Sequence, residues 1–232
     1  MLEHIRLLIF DLDYLVFDCA VLKAKALRQS LISFADLISQ SFHLPNAVDA
    51  EEGFINHGFR WMQFLEIGLD EKQSEHFHHL FSIEEKRLIE AGVGSVFSGV
   101  EELLRSCLRE RILLALGADA NRGYLLAVCD YHQLESLFQI ILCNEEFGLG
   151  GTDEMLKEII RQAEVNPSEA LALGTRPNFF QAARNLDLQT IGCGWGIHQQ
   201  RVLANADLKS IKLSDLYPAI QKADYLASQY FT

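Results

Sequence analysis

Leu7-Leu8-Ile9-Phe10-Asp11-Leu12-Asp13 is the stretch that decides the fold of this chain. Its first four residues form an unbroken apolar run, which is typical of a strand that is buried on both faces of a parallel sheet. Two carboxylates follow, so Asp11 and Asp13 are expected where the strand ends. Ligands of open α/β sheets bind at that edge, although acidic residues also simply terminate strands. The remaining sequence favours the first interpretation.

The composition indicates one folded core with room for a small accessory domain. The chain has 232 residues, of which 49% are hydrophobic, enough to bury such a core. Its 32 acidic and 20 basic residues give a formal net charge of −12. This charge disfavours nucleic acid and anionic membranes as partners, because both bind cationic surfaces. Apolar runs such as 112–116 are too short to span a bilayer and no signal-peptide pattern is present, so we expect a cytoplasmic protein.

The cysteines are expected to be buried free thiols. Their number is odd, and they lack the close pairing that a disulfide framework or a zinc site uses. They are Cys19, Cys107, Cys129, Cys143 and Cys193.

Two kinds of hydrophobic pattern divide the chain. Over residues 18–92, apolar and aromatic side chains recur at helical spacing with no convincing strand between them, which predicts an inserted all-helical cap. On either side, over residues 1–17 and 93–232, strands alternate with helices, as in a parallel sheet that helices cover on both faces. The predicted fold class is therefore α/β, a doubly wound parallel sheet with an inserted helical cap domain.

The individual elements follow from the same patterns. Helices of the insert are expected at residues 24–42, 53–65 and 75–89. Later helices are expected at residues 100–109, 121–134, 153–164, 178–186 and 213–227. Later strands are expected at residues 112–116, 140–142, 170–173, 188–191 and 208–211.

Several short segments, taken in order, resemble the haloacid dehalogenase (HAD) superfamily, in particular its phosphoglycolate phosphatase-like branch with a small helical cap. The resemblance runs through almost the whole chain. It is carried by Phe10-Asp11-Leu12-Asp13 and by the segments at residues 97–104, 153–156, 170–174, 181–184 and 190–196.

The resemblance implies a catalytic role for the two acidic residues. Asp11 stands where the family has the nucleophile that attacks phosphorus, and Asp13 where it has the general acid and base. A carboxylate suits this chemistry because its phosphoryl adduct is an acyl phosphate, which water can open. The same two residues would help to hold the magnesium ion that the family uses.

Three other motifs depart from the family pattern. Gly117 stands where the resemblance implies a hydroxyl, and Gly150 lies in a loop that offers no lysine. Thr175 and Phe179 stand where acids would complete a magnesium site. Magnesium in phosphoryl-transfer sites is held by carboxylates and phosphate oxygens, so we expect it to bind weakly, if at all.

Other polar residues nearby leave alternatives open. Arg176 follows the altered metal position and could replace magnesium with a fixed positive charge, or point into solvent. Arg122 is a second cation that could reach the acidic pair. Asp119 and Asn178 are the remaining candidates for metal ligands, at offsets that do not match the family.

Three histidines of the insert have a simpler interpretation. His76, His78 and His79 share a helix but have no acidic partner at ligand spacing, so a solvated cap surface is favoured over a metal site.

The sequence predicts a HAD-like hydrolase homologue that is a weak or inactive phosphatase-like protein and acts by binding. Its partner would be a small phosphorylated molecule or a protein. The alternative is an active phosphatase, a phosphoric monoester hydrolase, on a small phosphorylated metabolite. Hydrolytic dehalogenation is a third possibility, against which the missing lysine and hydroxyl count.

Overall fold

The computed structural model describes residues 2–38, 69–197 and 200–228. Its main element is a parallel sheet of six strands. With a separate two-stranded pair, β2 and β3, the strands are β1 (Leu7–Asp11), β2 (Phe17–Asp18), β3 (Ser95–Val96), β4 (Leu113–Ala118), β5 (Ile140–Cys143), β6 (Ala170–Gly174), β7 (Gln189–Cys193) and β8 (Leu208–Ser210).

The sheet reverses its winding beside β1. The strand order is β5-β4-β1-β6-β7-β8, so the chain builds one half outward from β1 and then the other half from β6. The carboxyl ends of β1 and β6 meet at this reversal, where open α/β sheets have their ligand crevice. In the register, Asp11 pairs with Gly117, and Phe10 pairs with Leu173. The predicted doubly wound parallel sheet is confirmed.

Seven α-helices belong to the described residues. They are α1 (Ala20–Ile38), α2 (Glu71–Glu90), α3 (Val100–Arg109), α4 (Arg122–His132), α5 (Gly151–Ala163), α6 (Pro177–Asn185) and α7 (Leu216–Ser228). Short 3-10 helices occur at Leu134–Ser136, Asn144–Gly150, Pro167–Glu169, Gln200–Asn205 and Leu213–Asp215. The last of these replaces the first turn of the helix predicted at 213–227.

The insert leaves and rejoins the core through β2 and β3, which pair antiparallel. Its described helices, α1 and α2, pack on each other, with the rings of Phe34 and Phe77 edge to face at 5.5 Å. α2 begins four residues before its predicted start because Asp70 and Gln73 form a reciprocal capping box. The predicted helix at 53–65 and the end of that at 24–42 lie outside the described residues. The division at residues 18 and 92 stays a prediction.

The core is centred on β1, all five residues of which are buried. Helices cover both faces of the sheet, so its central strands carry apolar side chains on both sides, as the sequence of β1 predicts. All five cysteines are buried and free, which confirms that prediction. None of the helices within the described ranges combines the length and the apolar character that crossing a bilayer requires.

A carboxylate of α7 ties the beginning of the chain to its end. Asp224 Oδ1 accepts hydrogen bonds from the backbone N–H groups of Ile5 at 2.7 Å and His4 at 2.8 Å, and its Oδ2 accepts one from Glu3 at 3.0 Å. Burial alone would raise the pKa of Asp224. The three N–H donors lower it by a larger amount, so its pKa is below the ordinary value. The stabilisation from Asp224 is fully present above the pKa that this carboxyl has in the unfolded state. It is lost as the pH falls through the lower pKa that it has in the folded state.

Asp224→Asn is therefore expected to lower the free energy of unfolding by about 1–3 kcal/mol, because the amide keeps one acceptor oxygen where the carboxylate has two. Thermal unfolding followed by circular dichroism measures the change. Asp215→Asn, at an exposed carboxylate just before α7, is the matched control and should change stability by no more than about 0.5 kcal/mol. Equal melting temperatures for the two variants would contradict this role of Asp224.

Candidate active site

An arginine binds the carboxylate at the end of β1. Arg176 Nη2 donates to Asp11 Oδ1 at 2.6 Å, and Arg176 Nε donates to Asp11 Oδ2 at 2.9 Å. Of the two side chains, 4% of the arginine and none of the aspartate is exposed. The contact is a bidentate, charge-assisted ion pair, which is a strong geometry for these groups. Of the two alternatives for Arg176, the structure therefore places it on the aspartate and not in solvent.

The backbone around Arg176 explains its position. β6 lies directly beside β1, and Arg176 follows β6 by two residues. Pro177 comes next and begins α6. A proline favours an extended backbone in the residue before it, and Arg176 has that conformation, with φ −120° and ψ 140°.

The same guanidinium binds a second carboxylate. Arg176 Nη1 donates to Asp119 Oδ2 at 2.5 Å. Asp119 also accepts from Asn178 Nδ2 at 3.3 Å and from Asn144 Nδ2. Burial raises the pKa of Asp119, but Arg176 and these amides lower it more, so its pKa is below the ordinary value. Asp119 and Asn178, considered above as metal ligands, are thus joined to Arg176 in one network.

The second acidic residue has its own partners. Tyr124 donates its hydroxyl to Asp13 Oδ1 at 2.6 Å, and Lys23 Nζ lies 3.3 Å from Asp13 Oδ2. Lys23 Nζ also lies 3.9 Å from the centre of the Tyr124 ring and 2.6 Å from Glu85 Oε1. Both Asp13 oxygens therefore have a partner, one of them Tyr124 of α4 and the other Lys23 of α1.

Lys23, Glu85 and Tyr124 were missed by the sequence analysis. A signal for two of them was present, because each stands where the helix pattern calls for an apolar residue. Lys23 follows Leu22 on the buried side of α1, and Glu85 lies between Phe81 and Leu88 on the buried side of α2. A charged residue within an apolar stripe indicates a buried partner.

Burial and ion pairing oppose each other in this network. Burial raises the pKa of Asp11 to about 6, and Arg176 limits the rise. Burial likewise raises the pKa of Glu85 to about 7, with Lys23 opposing it. Burial alone would lower the pKa of each cation, but the adjacent carboxylates outweigh it, so Arg176 and Lys23 have pKa values above their ordinary ones and remain charged.

The positions that depart from the family pattern are occupied by other contacts. A Cβ on Gly117 would lie 3.0 Å from Met155 Cε, so this strand end faces the apolar side of α5. The Thr175 hydroxyl donates to the carbonyl oxygen of Asp13 at 3.4 Å. Phe179 is fully buried. Gly150 ends the 3-10 helix that precedes α5.

Arg122 does not reach the acidic pair. Its guanidinium forms an ion pair with Glu146, and its backbone N–H donates to Glu145 Oε2 at 2.8 Å. Arg122 follows the cap residue Asn121 at the start of α4, on the exposed surface. The possibility that the Arg122 guanidinium reaches Asp11 or Asp13 is therefore not what the structure shows, since it is paired with Glu146.

The residues present do not fit a magnesium ion. Magnesium needs several oxygen ligands in a near-octahedral arrangement, whereas Asp11 gives both oxygens to Arg176, and Asp13 gives its two to Tyr124 and Lys23. Thr175 and the buried ring of Phe179 supply no carboxylate. Within the described ranges, no group of three or more His, Cys, Asp or Glu side chains could hold a metal ion.

A cleft of about 420 Å³ opens beside this network, between α2 and the loops that follow β4 and β5. Among the described residues, its lining is mostly polar and contains no lysine or arginine. The described lining residues are His78, His79, Ser82, Asp119, Ala120, Asn121, Asn144 and Glu145. Two of the histidines assigned to a solvated surface thus line a cleft, while His76 is exposed elsewhere on α2.

A family model described as haloacid dehalogenase-like hydrolase matches residues 8–193. The match covers more than half of the chain, so the chain belongs to the haloacid dehalogenase-like hydrolase family, as the resemblance predicts. No curated protein matches the chain at a significant level.

Solved structures have the same fold at low sequence identity. A predicted phosphoglycolate phosphatase from Haemophilus somnus has a TM-score of 0.81 at 14% identity, over 95% of this chain and 100% of that chain. A predicted phosphatase from Clostridium acetobutylicum has a TM-score of 0.80 at 17% identity, over 95% and 100%. A variant of CbbY from Rhodobacter sphaeroides, in complex with xylulose-(1,5)bisphosphate, has a TM-score of 0.74 at 18% identity, over 91% and 96%.

Arg176→Gln is expected to lower the free energy of unfolding by about 3–5 kcal/mol, because it leaves two buried carboxylates without their cation. Asp11→Asn should also destabilise the fold, since it takes the bidentate partner from a buried guanidinium. The double variant should lose less than the sum of the two, with a coupling of about 0.5–3 kcal/mol. Denaturant unfolding of the four proteins measures the cycle.

The matched control for this cycle is Arg122→Gln, which removes an exposed arginine paired with Glu146. It should cost no more than about 1 kcal/mol. An Asp11→Asn variant that is more stable than the wild type, or strictly additive losses, would contradict the ion pair as a source of stability.

Proposed function

We propose that this chain is a weak or inactive phosphatase-like member of its family that acts by binding. The observation that carries the proposal is the bidentate contact of Arg176 with Asp11. The proposed protein is cytoplasmic and has a small phosphorylated molecule or a protein as its partner, with no nucleic acid and no membrane. In the proposed division, residues 18–92 form a cap over a core made of residues 1–17 and 93–232.

The nucleophile position supports the proposal because the carboxylate has no oxygen free for attack. Both Asp11 oxygens accept hydrogen bonds from Arg176, and Oδ1 accepts another from the backbone N–H of Leu12 at 3.0 Å. No part of the side chain is exposed. To attack phosphorus, the carboxylate would first have to break a buried ion pair, a step that costs several kcal/mol.

The general acid position is restricted in a similar way. Proton transfer to a leaving group requires a donor within hydrogen-bond reach of it. Asp13 is bound by Tyr124 and Lys23, and 11% of its side chain is exposed. The two side chains with assigned catalytic roles are therefore each held by a resident cation.

The resident cations also change what the site can recognise. Phosphoryl transfer depends on positive groups that neutralise the transferring phosphate. Here Arg176 and Lys23 already form ion pairs with carboxylates of the chain itself. We propose that Arg176 takes the place of a metal ion, so the protein needs no magnesium for its structure.

The cleft beside the network provides a place for binding. Its histidine, amide and hydroxyl groups can donate and accept hydrogen bonds, and pockets of this size with convergent polar groups are typical ligand sites. Because the described residues of its lining are mostly polar and include no lysine or arginine, we propose that they hold the partner mainly by hydrogen bonds and not by ion pairs.

The alternative is an active phosphatase on a small phosphorylated metabolite. It is favoured by the position of Asp11 and Asp13 at the end of β1, next to the cleft. In this alternative, Arg176 would have to leave Asp11 when the substrate binds. The two functions differ in whether hydrolysis depends on Asp11.

The decisive assay measures phosphate release from a panel of small phosphate esters with magnesium present. Wild type and Asp11→Asn are both expected to stay close to the background rate, because Arg176 holds both oxygens of the aspartate. Calorimetric titration of the wild type with magnesium chloride alone should show no specific binding. Robust hydrolysis that disappears in Asp11→Asn would refute the proposal and establish the alternative.

Binding is tested separately by titrating the same esters into the protein without magnesium. His79→Ala removes an exposed imidazole from the α2 wall of the cleft and should weaken any binding several-fold. His76→Ala removes an exposed imidazole from the same helix outside the cleft and should leave the affinity unchanged. An equal effect of both variants would remove the cleft as the binding site.

A further inference from the structure

One lysine serves two buried carboxylates where α1, α2 and the core meet. Lys23 of α1 lies 2.6 Å from Glu85 of α2 and 3.3 Å from Asp13, which follows β1. The exposed fractions of the three side chains are 4%, 0% and 11%. With both carboxylates ionised, these three side chains together carry a net charge of −1 away from water, which is an expensive arrangement.

The imbalance falls on Glu85. Its Oε1 binds Lys23, whereas its buried Oε2 has no hydrogen-bond partner among the described residues. A proton taken from solvent onto Oε2 would make Glu85 neutral and leave the three side chains with no net charge. Asp13, in contrast, has partners for both oxygens.

Among the described residues, two other titratable groups facing this site stay neutral around pH 7, the Tyr124 hydroxyl of α4 and the thiol of Cys19, which precedes α1. Burial, with Asp13 adding to it, raises the pKa of each well above its ordinary value. Arg176 and Asp119 of the neighbouring network, which interact electrostatically with Asp13 and Lys23, stay charged. Burial raises the pKa of Glu85 to about 7, so Glu85 can gain or lose a proton near pH 7.

Glu85 is connected to the cleft through its own helix. His78, Ser82 and Glu85 are spaced four and three residues apart on α2, so they share one face. His78 and Ser82 line the cleft, and Ser82 Oγ accepts a hydrogen bond from Asn121 Nδ2 of the opposite wall at 3.0 Å. The contact that holds Glu85 therefore positions one wall of the cleft.

We propose that the Lys23–Glu85 pair is a proton-operated latch on α2. Binding of one proton at Glu85 holds α2 against α1 and the core, and release of that proton loosens α2 and widens the cleft. The latch regulates the cleft of the proposed function, but it acts in the same way whether or not the chain hydrolyses a substrate.

The sign of the effect follows from linkage. In the packed state burial raises the pKa of Glu85 to about 7, whereas in a loosened state a solvated carboxyl has its ordinary value. Between these two pKa values, the packed state therefore binds more protons than the loosened state does. The packing of α2 weakens as the pH rises through this range. From about pH 6 to about pH 8, the equilibrium between packed and loosened α2 should shift about tenfold toward the loosened state.

Amide hydrogen exchange of the intact chain tests the latch. After correction for the chemical exchange rate, α2 should be protected about tenfold more at about pH 6 than at about pH 8. α5, a core helix distant from Glu85 in the sequence, serves as the internal reference and should change little. Equal protection of α2 at the two pH values would overturn the proposal, and this measurement needs no variant.

Two substitutions test whether Glu85 is the group that causes this pH dependence. Glu85→Gln keeps the shape of the side chain without its titration, so α2 should lose the pH dependence. Glu90→Gln removes an exposed carboxylate at the end of the same helix and should behave as the wild type does. A Glu85→Gln variant that folds and retains the tenfold change would refute the latch, while the assay of ester hydrolysis decides the proposed function independently.

Discussion

The contact between Arg176 and Asp11 is the constraint on which the rest of the site depends. A carboxylate with no exposed surface is unfavourable unless a charge compensates it, and the end of β1 provides none of its own. The guanidinium supplies that charge from the adjacent strand, two residues after β6 ends. Because it also binds Asp119, one side chain joins the ends of β1, β4 and β6.

On the proposed function, this arrangement would let the same fold bind a partner without hydrolysing it. In an open α/β sheet the crevice at the reversal of winding is where ligands bind, and here an arginine of the chain fills part of it. A fixed guanidinium differs from a metal ion, since it cannot exchange, accept a substrate oxygen as a ligand or lower the pKa of a bound water. On the proposed function, the site therefore has a permanent cation in place of the chemistry that a metal would provide.

The second resident cation connects the insert to the core. Lys23 reaches Asp13 from α1, and its other partner, Glu85, belongs to α2. The two described helices of the insert are thus joined to the strand end by charge as well as by apolar packing. Because these groups are buried, their protonation changes the energy of the packing itself, whereas a surface pair would change it little.

The sheet and its helices were predictable because hydrophobic periodicity encodes them directly. The apolar run before Asp11 predicted β1, and the later alternation predicted the order of the remaining core strands and helices. The start of α2 was not predictable in this way, because a capping box at Asp70 extends the helix beyond its apolar stripe.

The site was predictable only in part. Arg176 stood out because it is adjacent to an altered motif position, so its contact with Asp11 could be stated as one of two alternatives. Arg122 stood out for a similar reason and was wrong, since nearness in sequence does not fix the direction of a side chain. Lys23, Glu85 and Tyr124 come from distant parts of the chain, and only the fold brings them to Asp13.

Electron density around Asp11, in a crystal grown with magnesium, shows directly whether Arg176 or a metal ion neutralises this carboxylate. We expect the Arg176 guanidinium within hydrogen-bond distance of both Asp11 oxygens and no ion beside them. A magnesium ion coordinated by Asp11, with Arg176 displaced, would contradict it.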